Sequence, residues 1–325
     1  MRTTIVYSIV SGNDDTYLEQ LLVSLYSVRI YHADAEIEIV TDDFTYATLT
    51  ANRAQVFQYA NKVTGFPCPS GYNKMQRSRY LKTNLRRFVK GDYLFIDCDT
   101  VLCERLNNID RFDGDLGMVA DLNGQLALNE RSVIEKCTKA GFANVEGQPY
   151  FNSGVIYAKD TPAAYRLYAE WYRLWCEADA RGCSYDQPAL CQANINLGFP
   201  IKEMSGIWNC QFKFTTGYKY LNHAKIVHYY SNNGQGSNDF QERIFEYVKE
   251  QGRVDAVVDR MIRHPRTIFY TAVTISPDKA FEFFSSEMIH YFFNVPPLYR
   301  MMCFMARILE MPILFFSNLK TKFSR

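Results

Sequence analysis

Two aspartates separated by one residue end an apolar segment of the chain. Residues 92–96 read Asp-Tyr-Leu-Phe-Ile and run directly into Asp97-Cys98-Asp99. Side chains two apart on a strand point the same way, so both carboxylates can converge on one divalent ion. Hard oxygen ligands suit Mg²⁺ or Mn²⁺, and such an ion would neutralise a diphosphate. The pair predicts a cation site; the alternative is a solvated strand end combined with a helix cap.

Alternating apolar strands and amphipathic helices must position these aspartates. The predicted strands cover residues 3–10, 36–41, 55–63, 92–96, 116–120, 152–158 and 225–229. The predicted helices cover residues 17–30, 73–88, 163–180 and 186–195, and residues 64–71 are expected to form a loop. Strand, helix and strand with short connections predict a parallel βαβ start. Ligands of such sheets bind at the carboxyl ends of the strands, where Asp97 and Asp99 lie.

Composition limits the class of protein and its partners. The 325 residues include 36 Lys and Arg against 35 Asp and Glu, so no global field favours nucleic acid. Nine cysteines without a CxxC motif are typical of reduced thiols in a cytoplasmic protein. We find neither a signal peptide nor an apolar run long enough to span a membrane. From about Arg260 the chain becomes basic, aromatic and rich in Met, and the α/β alternation disappears. We place the end of the α/β domain near Gly252.

Several sequence blocks follow one another in a recognisable order. They are IVYSIVSGNDDTYLEQLLVSLYSV, RSRYLKTNL, DYLFIDCDT, YFNSGVIYAKD, YDQPAL, SGIWNCQF and KIVHYYS. In order and spacing, over about residues 3–235, they resemble glycosyltransferase family 8. That retaining group includes glycogenin and bacterial lipopolysaccharide galactosyl- and glucosyltransferases.

The resemblance implies a fold and an activity. The fold would be α/β, a GT-A type single Rossmann-like domain with a central mixed, mostly parallel sheet over residues 1–252. A helical extension would follow over residues 253–325. The activity would be retaining transfer of a hexose, galactose or glucose, from a UDP-sugar to a glycan or glycolipid acceptor. Cell-surface polysaccharide or lipopolysaccharide synthesis is the expected setting.

The resemblance also assigns a cation and a nucleotide to particular residues. Asp97, Asp99 and His228 would bind Mn²⁺ or Mg²⁺, with His223 as the alternative histidine. Asp97 would also lie near the donor ribose. Ser11, Asn13 and Tyr17 follow the first strand and would contact the base and ribose.

Further residues would bind the phosphates and the transferred sugar. Arg79 and Lys82 share a helix face, and either could be the family's basic residue, unless this is a solvated basic face. The sugar pocket would contain Asp121, Asn152, Ser153, Asp186 and Gln187. Asn152 could instead be a turn residue and Asp186 a helix cap. Asp121, Asp186 and Gln187 mark the region of any nucleophile, and none is assigned that role.

Two features lie outside the family pattern. Relatives often follow the late histidine with a Gly and a Lys-Pro-Trp, but here only Gly234 and Gly236 are present. Residues 281–325 mix basic, aromatic and aliphatic residues, with Pro296, Pro297 and Pro312 interrupting any spanning helix. This tail predicts a peripheral anchor on the inner face of the plasma membrane, or alternatively a helical extension packed on the domain.

Other functions fit parts of the same pattern. An inverting GT-A transferase or a sugar nucleotidyltransferase would have a similar fold, but the latter needs a Gly-rich phosphate loop that SIVSGNDD does not supply. A degenerate member could serve as a scaffold in a membrane glycan-assembly complex. The missing Lys-Pro-Trp favours the scaffold, whereas Asp97, Asp99, Asn152 and Asp186 argue against it.

Overall fold

The part of the chain with defined structure falls into two units. The computed structural model describes residues 1–211, 217–221, 223–229 and 240–262, and seven helical positions between 297 and 308. Contacts divide the chain into two compact units, Met1–Arg266 and Thr267–Arg325. The strands and helices named below all belong to the first unit.

A seven-stranded sheet forms the centre of the first unit. Its strands are β1 (Thr4–Ile9), β2 (Ile37–Asp42), β3 (Lys62–Phe66), β4 (Tyr93–Ile96), β6 (Leu116–Ala120), β7 (Phe151–Ala158) and β8 (Ile201–Glu203). Their order is β3-β2-β1-β4-β7-β6-β8. All neighbours run parallel except β7, which is antiparallel to both β4 and β6. The mixed, mostly parallel sheet predicted from the sequence is confirmed.

A second, three-stranded sheet brings late residues next to the aspartate pair. It consists of β5 (Thr100–Leu102), β9 (Cys210–Gln211) and β10 (Ile226–His228). Strand β10 pairs antiparallel with β5 and parallel with β9. His228 lies opposite Thr100, which directly follows Asp99. This pairing places the histidine of the last block beside the aspartates.

Helices pack on both faces of the central sheet. They are α1 (Tyr17–Tyr31), α2 (Asp43–Ala47), α3 (Val56–Tyr59), α4 (Lys74–Thr83), α5 (Leu85–Phe88), α6 (Arg131–Lys139), α7 (Pro162–Ala180), α8 (Asp186–Asn196), α9 (Tyr218–Leu221), α10 (Phe240–Gln251) and α11 (Ala256–Ile262). Alternate residues of β1 serve opposite faces. Val6 belongs to a core cluster with Leu81 and Trp171, whereas the hydroxyl of Tyr7 bonds Ser24 of α1 at 2.8 Å.

Two predicted elements differ from the observed ones. Residues 55–63, expected as a strand, form the helical turn α3 and only then enter β3, which continues to Phe66 inside the expected loop. β3 is an edge strand of half-exposed residues, so its apolar pattern is weak. The helix predicted over residues 73–88 is broken at Asn84, whose side-chain amide donates to the carbonyl of Tyr80 at 2.9 Å. Such local bonds compete with the helical ones.

The helices α10 and α11, which follow the second sheet in the sequence, contact α1. α10 contacts α1, and Tyr26 of α1 donates its hydroxyl to Asp259 of α11 at 2.8 Å. Val258 and Ile262 are buried. The domain boundary near Gly252 remains a prediction, and most of residues 281–325 lie outside the described residues. Within the described part of the chain, no helix has the length and apolar character needed to cross a membrane.

Candidate active site

A cleft of about 530 Å³ opens at the carboxyl ends of β1 and β4. Because β7 runs antiparallel to β4, its first residues reach the same edge of the sheet. The helices α1, α4 and α8 also contribute side chains. Ten of the residues predicted from the sequence line this cleft: Tyr17, Arg79, Lys82, Asp97, Asp99, Asn152, Ser153, Asp186, Gln187 and His228.

Asp97, Asp99 and His228 form a compact group of potential metal ligands. Each offers one ligand atom, and these atoms all lie within 4.8 Å of one another. Two carboxylates and one imidazole are a donor set that Mn²⁺ or Mg²⁺ accepts. The residues present therefore fit the predicted cation. His223, the alternative, lies in an exposed turn, and among the described residues this group does not include it.

Asp99 and His228 form an ion pair inside this group. His228 Nε2 lies 3.2 Å from Asp99 Oδ1. Burial alone would lower the pKa of His228, but the Asp99 carboxylate outweighs it, so this pKa is raised above its ordinary value. Burial alone would raise the pKa of Asp99, but the imidazolium lowers it below its ordinary value. Nε2 can therefore hold either a proton or a cation, in competition.

Three cations of α4, namely Lys74, Arg79 and Lys82, form what we call the basic group. Lys82 Nζ lies 3.0 Å from both carboxylate oxygens of Asp97, and Arg79 Nε lies 3.2 Å from Asp186 Oδ1. Lys74 forms an ion pair with Asp15 in the loop after β1. All three cations face the cleft, so Arg79 and Lys82 do not form a solvated basic face.

Asp186 is the shared partner of two of these cations. Burial would raise the pKa of Asp186, but Arg79 and then Lys82 hold this pKa below its ordinary value. Ser153 donates its hydroxyl to Asp186 Oδ2 at 2.8 Å. The N-cap of α8 is Tyr185, and it makes no side-chain cap bond, so the Asp186 carboxylate serves the cleft rather than a cap.

Asn152, Gln187 and Asn209 form what we call the amide group. Asn152 Oδ1 accepts hydrogen bonds from the backbone N–H of Gly154 and from Asn209 Nδ2, both at 2.8 Å. Gln187 Nε2 donates to the carbonyl of Phe151 at 3.1 Å. Asn152 and Asn209 are both buried. Asn152 therefore belongs to a buried network rather than to a turn.

Gly154 allows the imidazole of His228 to lie against the backbone. A Cβ at this position would be 2.4 Å from His228 Cε1 and 2.8 Å from Asn152 Oδ1. The Gly154 carbonyl also accepts the backbone N–H of Asp97 at 2.8 Å. This residue ties the aspartate turn, the first residues of β7 and the histidine together.

Asp121 does not line the cleft but bonds to a residue that does. Its Oδ1 accepts from Asn152 Nδ2 at 3.0 Å, and burial raises the pKa of Asp121. The next two residues, Leu122 and Asn123, have positive φ values of 55° and 50°. For a leucine this backbone is strained. Gln211 holds the loop, because its Oε1 accepts from the Leu122 N–H at 2.7 Å.

The first two predicted nucleotide contacts lie apart from the cleft lining. Ser11 is buried, and its hydroxyl donates to Asp15 at 2.8 Å. Asn13 lines a separate cavity of about 180 Å³ near Lys249. Tyr17 does line the main cleft, with Lys74 Nζ 5.4 Å from the centre of its ring. The roles of these three residues in nucleotide binding remain predictions.

Sequence reasoning missed two residues that support the site, Asn209 and Gln211. Both lie in the SGIWNCQF block, whose resemblance to the family assigns no role to its individual side chains. Asn209 contacts Asn152 and His228. Gln211 donates to the carbonyl of Ala120, the last residue of β6, and accepts from Leu122 in the loop that follows. Two amide residues shortly after Trp208 were the sequence signal available for them.

Solved glycosyltransferase structures match most of the chain. The galactosyltransferase LgtC, in complex with donor and acceptor sugar analogues, is 17% identical with a TM-score of 0.50, over 78% of this chain and 98% of that one. The apo form of the glycosyltransferase GlyE from Streptococcus pneumoniae TIGR4 is 13% identical with a TM-score of 0.50, over 82% and 64%. Mouse xyloside xylosyltransferase 1 is 14% identical with a TM-score of 0.48, over 72% and 99%. The first two confirm the GT-A type fold.

A search of curated protein sequences finds no match. A family sequence profile, in contrast, agrees with this fold. The sequence profile described as Glycosyl transferase family 8 matches residues 8–235, which include every residue of the cleft lining. The resemblance inferred from the sequence blocks is thereby confirmed, and the activity is that of a glycosyltransferase. The chain belongs to glycosyltransferase family 8.

Proposed function

We propose that this chain is a metal-dependent, retaining hexosyltransferase. It would use a UDP-sugar, with galactose or glucose as the transferred sugar, and a glycan or glycolipid acceptor. The observation that carries the proposal is one cleft in which Asp97, Asp99 and His228 lie beside the basic group. Ligands for a cation and cations for a diphosphate occur together at the edge where parallel sheets bind nucleotides.

The chain's own charges suit a diphosphate leaving group. Asp97, Asp99 and His228 would hold Mn²⁺ or Mg²⁺, and the bound ion supplies positive charge beside the diphosphate. Lys82 and Arg79 are paired with carboxylates, and either side chain can exchange that partner for a phosphate oxygen. Which of the two is the family's basic residue stays open, because both reach the cleft.

Uncharged and acidic side chains suit the transferred sugar. Asn152 and Gln187 offer both donors and acceptors for hydroxyl groups. Asp186 lines this side of the cleft, and Asp121, whose pKa is raised by burial, lies outside the lining and accepts a hydrogen bond from Asn152. Retention of the anomeric configuration is proposed from family membership. Asp121, Asp186 and Gln187 remain the region in which a nucleophile would lie, and none is assigned.

A donor panel tests the proposal. The full chain is incubated with Mn²⁺ and a set of nucleotide sugars, and released UDP is measured. UDP-galactose is the first choice, because LgtC is a galactosyltransferase solved with donor and acceptor sugar analogues. Turnover of one UDP-sugar that is lost in Asp99→Asn supports an enzyme. Absence of both turnover and Mn²⁺-dependent UDP binding would favour the scaffold function instead.

We also propose that the protein acts at the inner face of the plasma membrane, in cell-surface polysaccharide or lipopolysaccharide synthesis. Four exposed apolar residues in the second unit, Met301, Phe304, Met305 and Ile308, have the spacing of one helix face. Basic residues follow at Lys320, Lys322 and Arg325. An apolar helix face followed later in the sequence by basic residues suits the surface of an anionic bilayer.

Co-sedimentation with vesicles tests the membrane proposal. We expect the full chain to bind phosphatidylglycerol-containing vesicles, and Phe304→Ser with Ile308→Ser to release it without loss of UDP-sugar turnover. The proposal would be contradicted if the full chain and the double variant bound anionic and neutral vesicles equally well. It would also be contradicted if neither protein bound any vesicle.

A further inference from the structure

Asn209 joins the predicted metal ligand to the predicted sugar-binding residues. Its side chain is fully buried. Asn209 Oδ1 lies 3.0 Å from His228 Nδ1, and Asn209 Nδ2 donates to Asn152 Oδ1 at 2.8 Å. Asn152 Nδ2 in turn donates to Asp121 Oδ1 at 3.0 Å. A chain of three hydrogen bonds thus leads from His228 to Asp121.

A backbone group fixes which atom donates and which accepts in each of these hydrogen bonds. The Gly154 N–H can only donate, and it donates to Asn152 at 2.8 Å, so the accepting atom of Asn152 is Oδ1. The atom of Asn209 that meets this oxygen must then be its NH₂ group. Asn209 consequently turns its oxygen towards His228, and His228 Nδ1 must carry a proton.

This assignment decides which imidazole nitrogen is available to a cation. With Nδ1 protonated and bonded to Asn209, Nε2 is the nitrogen that faces Asp99. The hydrogen bond at one imidazole nitrogen commonly sets the role of the other. At the far end, the carboxylate of Asp121 accepts a hydrogen bond from Asn152 only when the Asn152 amide is held in this same orientation.

The backbone around Asn209 is fixed from both sides. The strand β9 begins at the next residue and pairs with β10, placing Gln211 opposite His228. Asn123, in the loop after Asp121, donates its side-chain amide to the Asn209 carbonyl at 2.9 Å. Asn209 therefore holds His228 on one side and Asn152 on the other in a single arrangement.

We propose that Asn209 is a positioning residue for the glycosyl transfer. It orients His228 so that Nε2 faces the cation, and it orients Asn152 so that its NH₂ group rests on Asp121. The inference rests on the proposed metal-dependent transfer. Removal of such outer partners typically lowers metal affinity or activity by about 10–100-fold.

Three full-length variants test this role. Asn209→Ala removes both hydrogen bonds. Asn209→Asp keeps an acceptor for His228 Nδ1 but cannot donate to Asn152, and neither orientation of the Asn152 amide then satisfies all its partners. Asn194→Ala is the matched control, because Asn194 is another fully buried amide, whose Oδ1 accepts from the Ile201 N–H at 3.2 Å, away from the cleft.

The readouts separate positioning from general stability. Histidine-selective ¹⁵N NMR of the metal-free protein should show one Nδ1–H, assigned by His228→Gln, that is protected from solvent exchange. This signal should vanish in Asn209→Ala and persist in Asn209→Asp and Asn194→Ala. Mn²⁺ affinity, measured by electron paramagnetic resonance, should fall about 10–100-fold in Asn209→Ala and stay near wild type in Asn209→Asp. In Asn209→Asp, kcat should fall instead.

Several results would overturn the proposal. One is an Asn209→Ala protein that keeps the protected Nδ1–H and matches Asn194→Ala in Mn²⁺ affinity. If Asn209→Ala does not fold, Asn209→Asp decides, and an unchanged kcat or a lost Nδ1–H rejects the role. A wild-type protein without Mn²⁺ binding or turnover rejects the proposed function, whereas the Nδ1–H of the metal-free protein reports on Asn209 independently.

Discussion

The basic group and the amide group serve one cleft but are held by different kinds of bond. Arg79 and Lys82 are paired with carboxylates, and an ionised side chain can exchange one anionic partner for another. Asn152 and Asn209 instead form directed bonds in which each donor has its own acceptor. Turning either amide would leave buried polar groups unpaired, at a cost of about 1–3 kcal/mol each. One part of the site can change partners, and the other is built to stay as it is.

The difference suits the two halves of a nucleotide sugar. A diphosphate brings its own negative charge. Cations that can release their carboxylate partners can therefore bind the diphosphate when it enters the cleft and return to the carboxylates when it leaves. A sugar ring brings hydroxyl groups, whose recognition requires donors and acceptors in fixed directions. We therefore expect changes in the basic group to affect donor binding, and changes around the amide group to affect metal affinity and kcat.

The largest effect is expected at Asp99, a predicted metal ligand that pairs with His228. Asp99→Asn keeps the size of the side chain but removes the charge that pairs with His228 and would hold the cation. We expect kcat/KM for the UDP-sugar to fall by roughly 10²–10³-fold, since a bound cation contributes several kcal/mol. UDP release measures this, with Asp113→Asn as control because that side chain is 99% exposed. Equal activity of both variants would remove Asp99 from the site.

Gly154→Ala tests the rigidity of the amide group. The new Cβ would lie 2.4 Å from His228 Cε1, and neither the imidazole nor Asn152 can move without losing a buried bond. We expect Mn²⁺ affinity, measured by calorimetry, to fall by about 10–100-fold. Gly124→Ala is the control, because its Cβ would meet only the Asp121 carbonyl oxygen at 3.5 Å. A similar loss in both variants would show that the contact with His228 is not the cause.

The pH dependence of Mn²⁺ affinity tests whether His228 is the titrating metal ligand. Metal binding requires a deprotonated Nε2, and the pKa of His228 is raised by Asp99. Below that pKa a proton occupies Nε2, so affinity should fall by about tenfold for each unit that pH decreases, and level off above it. Titrations between about pH 5 and 8 measure this. His228→Gln should bind weakly with a flatter profile, and an unchanged slope would assign the proton to another group.

The smallest effect is expected at Lys74, the most exposed member of the basic group. Its side chain is 35% exposed and its ion pair with Asp15 is partly screened, so its loss should be tolerated. We expect Lys74→Met to raise KM for the donor by about two- to fivefold and leave kcat unchanged, as for a uniform binding contact. Lys62→Met is the control, since Lys62 pairs with Glu38 outside the cleft. A fall in kcat would place Lys74 among the groups that act on the transition state.

Much of the site could be predicted because it lies on strongly patterned elements. The strand β4 is fully buried, so its apolar run and the aspartates after it stand out in the sequence. The strand β7 and the helix α8 are similarly clear, and they carry Asn152, Ser153, Asp186 and Gln187. Blocks of this kind gave the family and, through it, the fold.

The remaining features depend on contacts that no local pattern encodes. The strand β9 has only two residues, too few for any periodicity, so the role of Asn209 could not be inferred. Ser11 follows a well-predicted strand. The turn that begins at Ser11 nevertheless directs the Ser11 hydroxyl to Asp15, which the sequence pattern does not indicate. The one-turn helix α3 buries only Val56, so no helical apolar periodicity distinguishes it in the sequence.

The antiparallel pairing of β5 with β10 sets when the site can form during synthesis of the chain. It joins residues 100–102 to residues 226–228, so Asp97 and Asp99 leave the ribosome long before His228 does. Asn209, which orients the histidine, also emerges late, and so does Gln211, which holds the strained loop beside Asp121. A nascent chain that has reached only β4 thus lacks His228, the predicted third metal ligand, and also lacks Asn209 and Gln211. We therefore expect a chain that ends before β10 to lack His228, the predicted third metal ligand, and with it the proposed transfer activity.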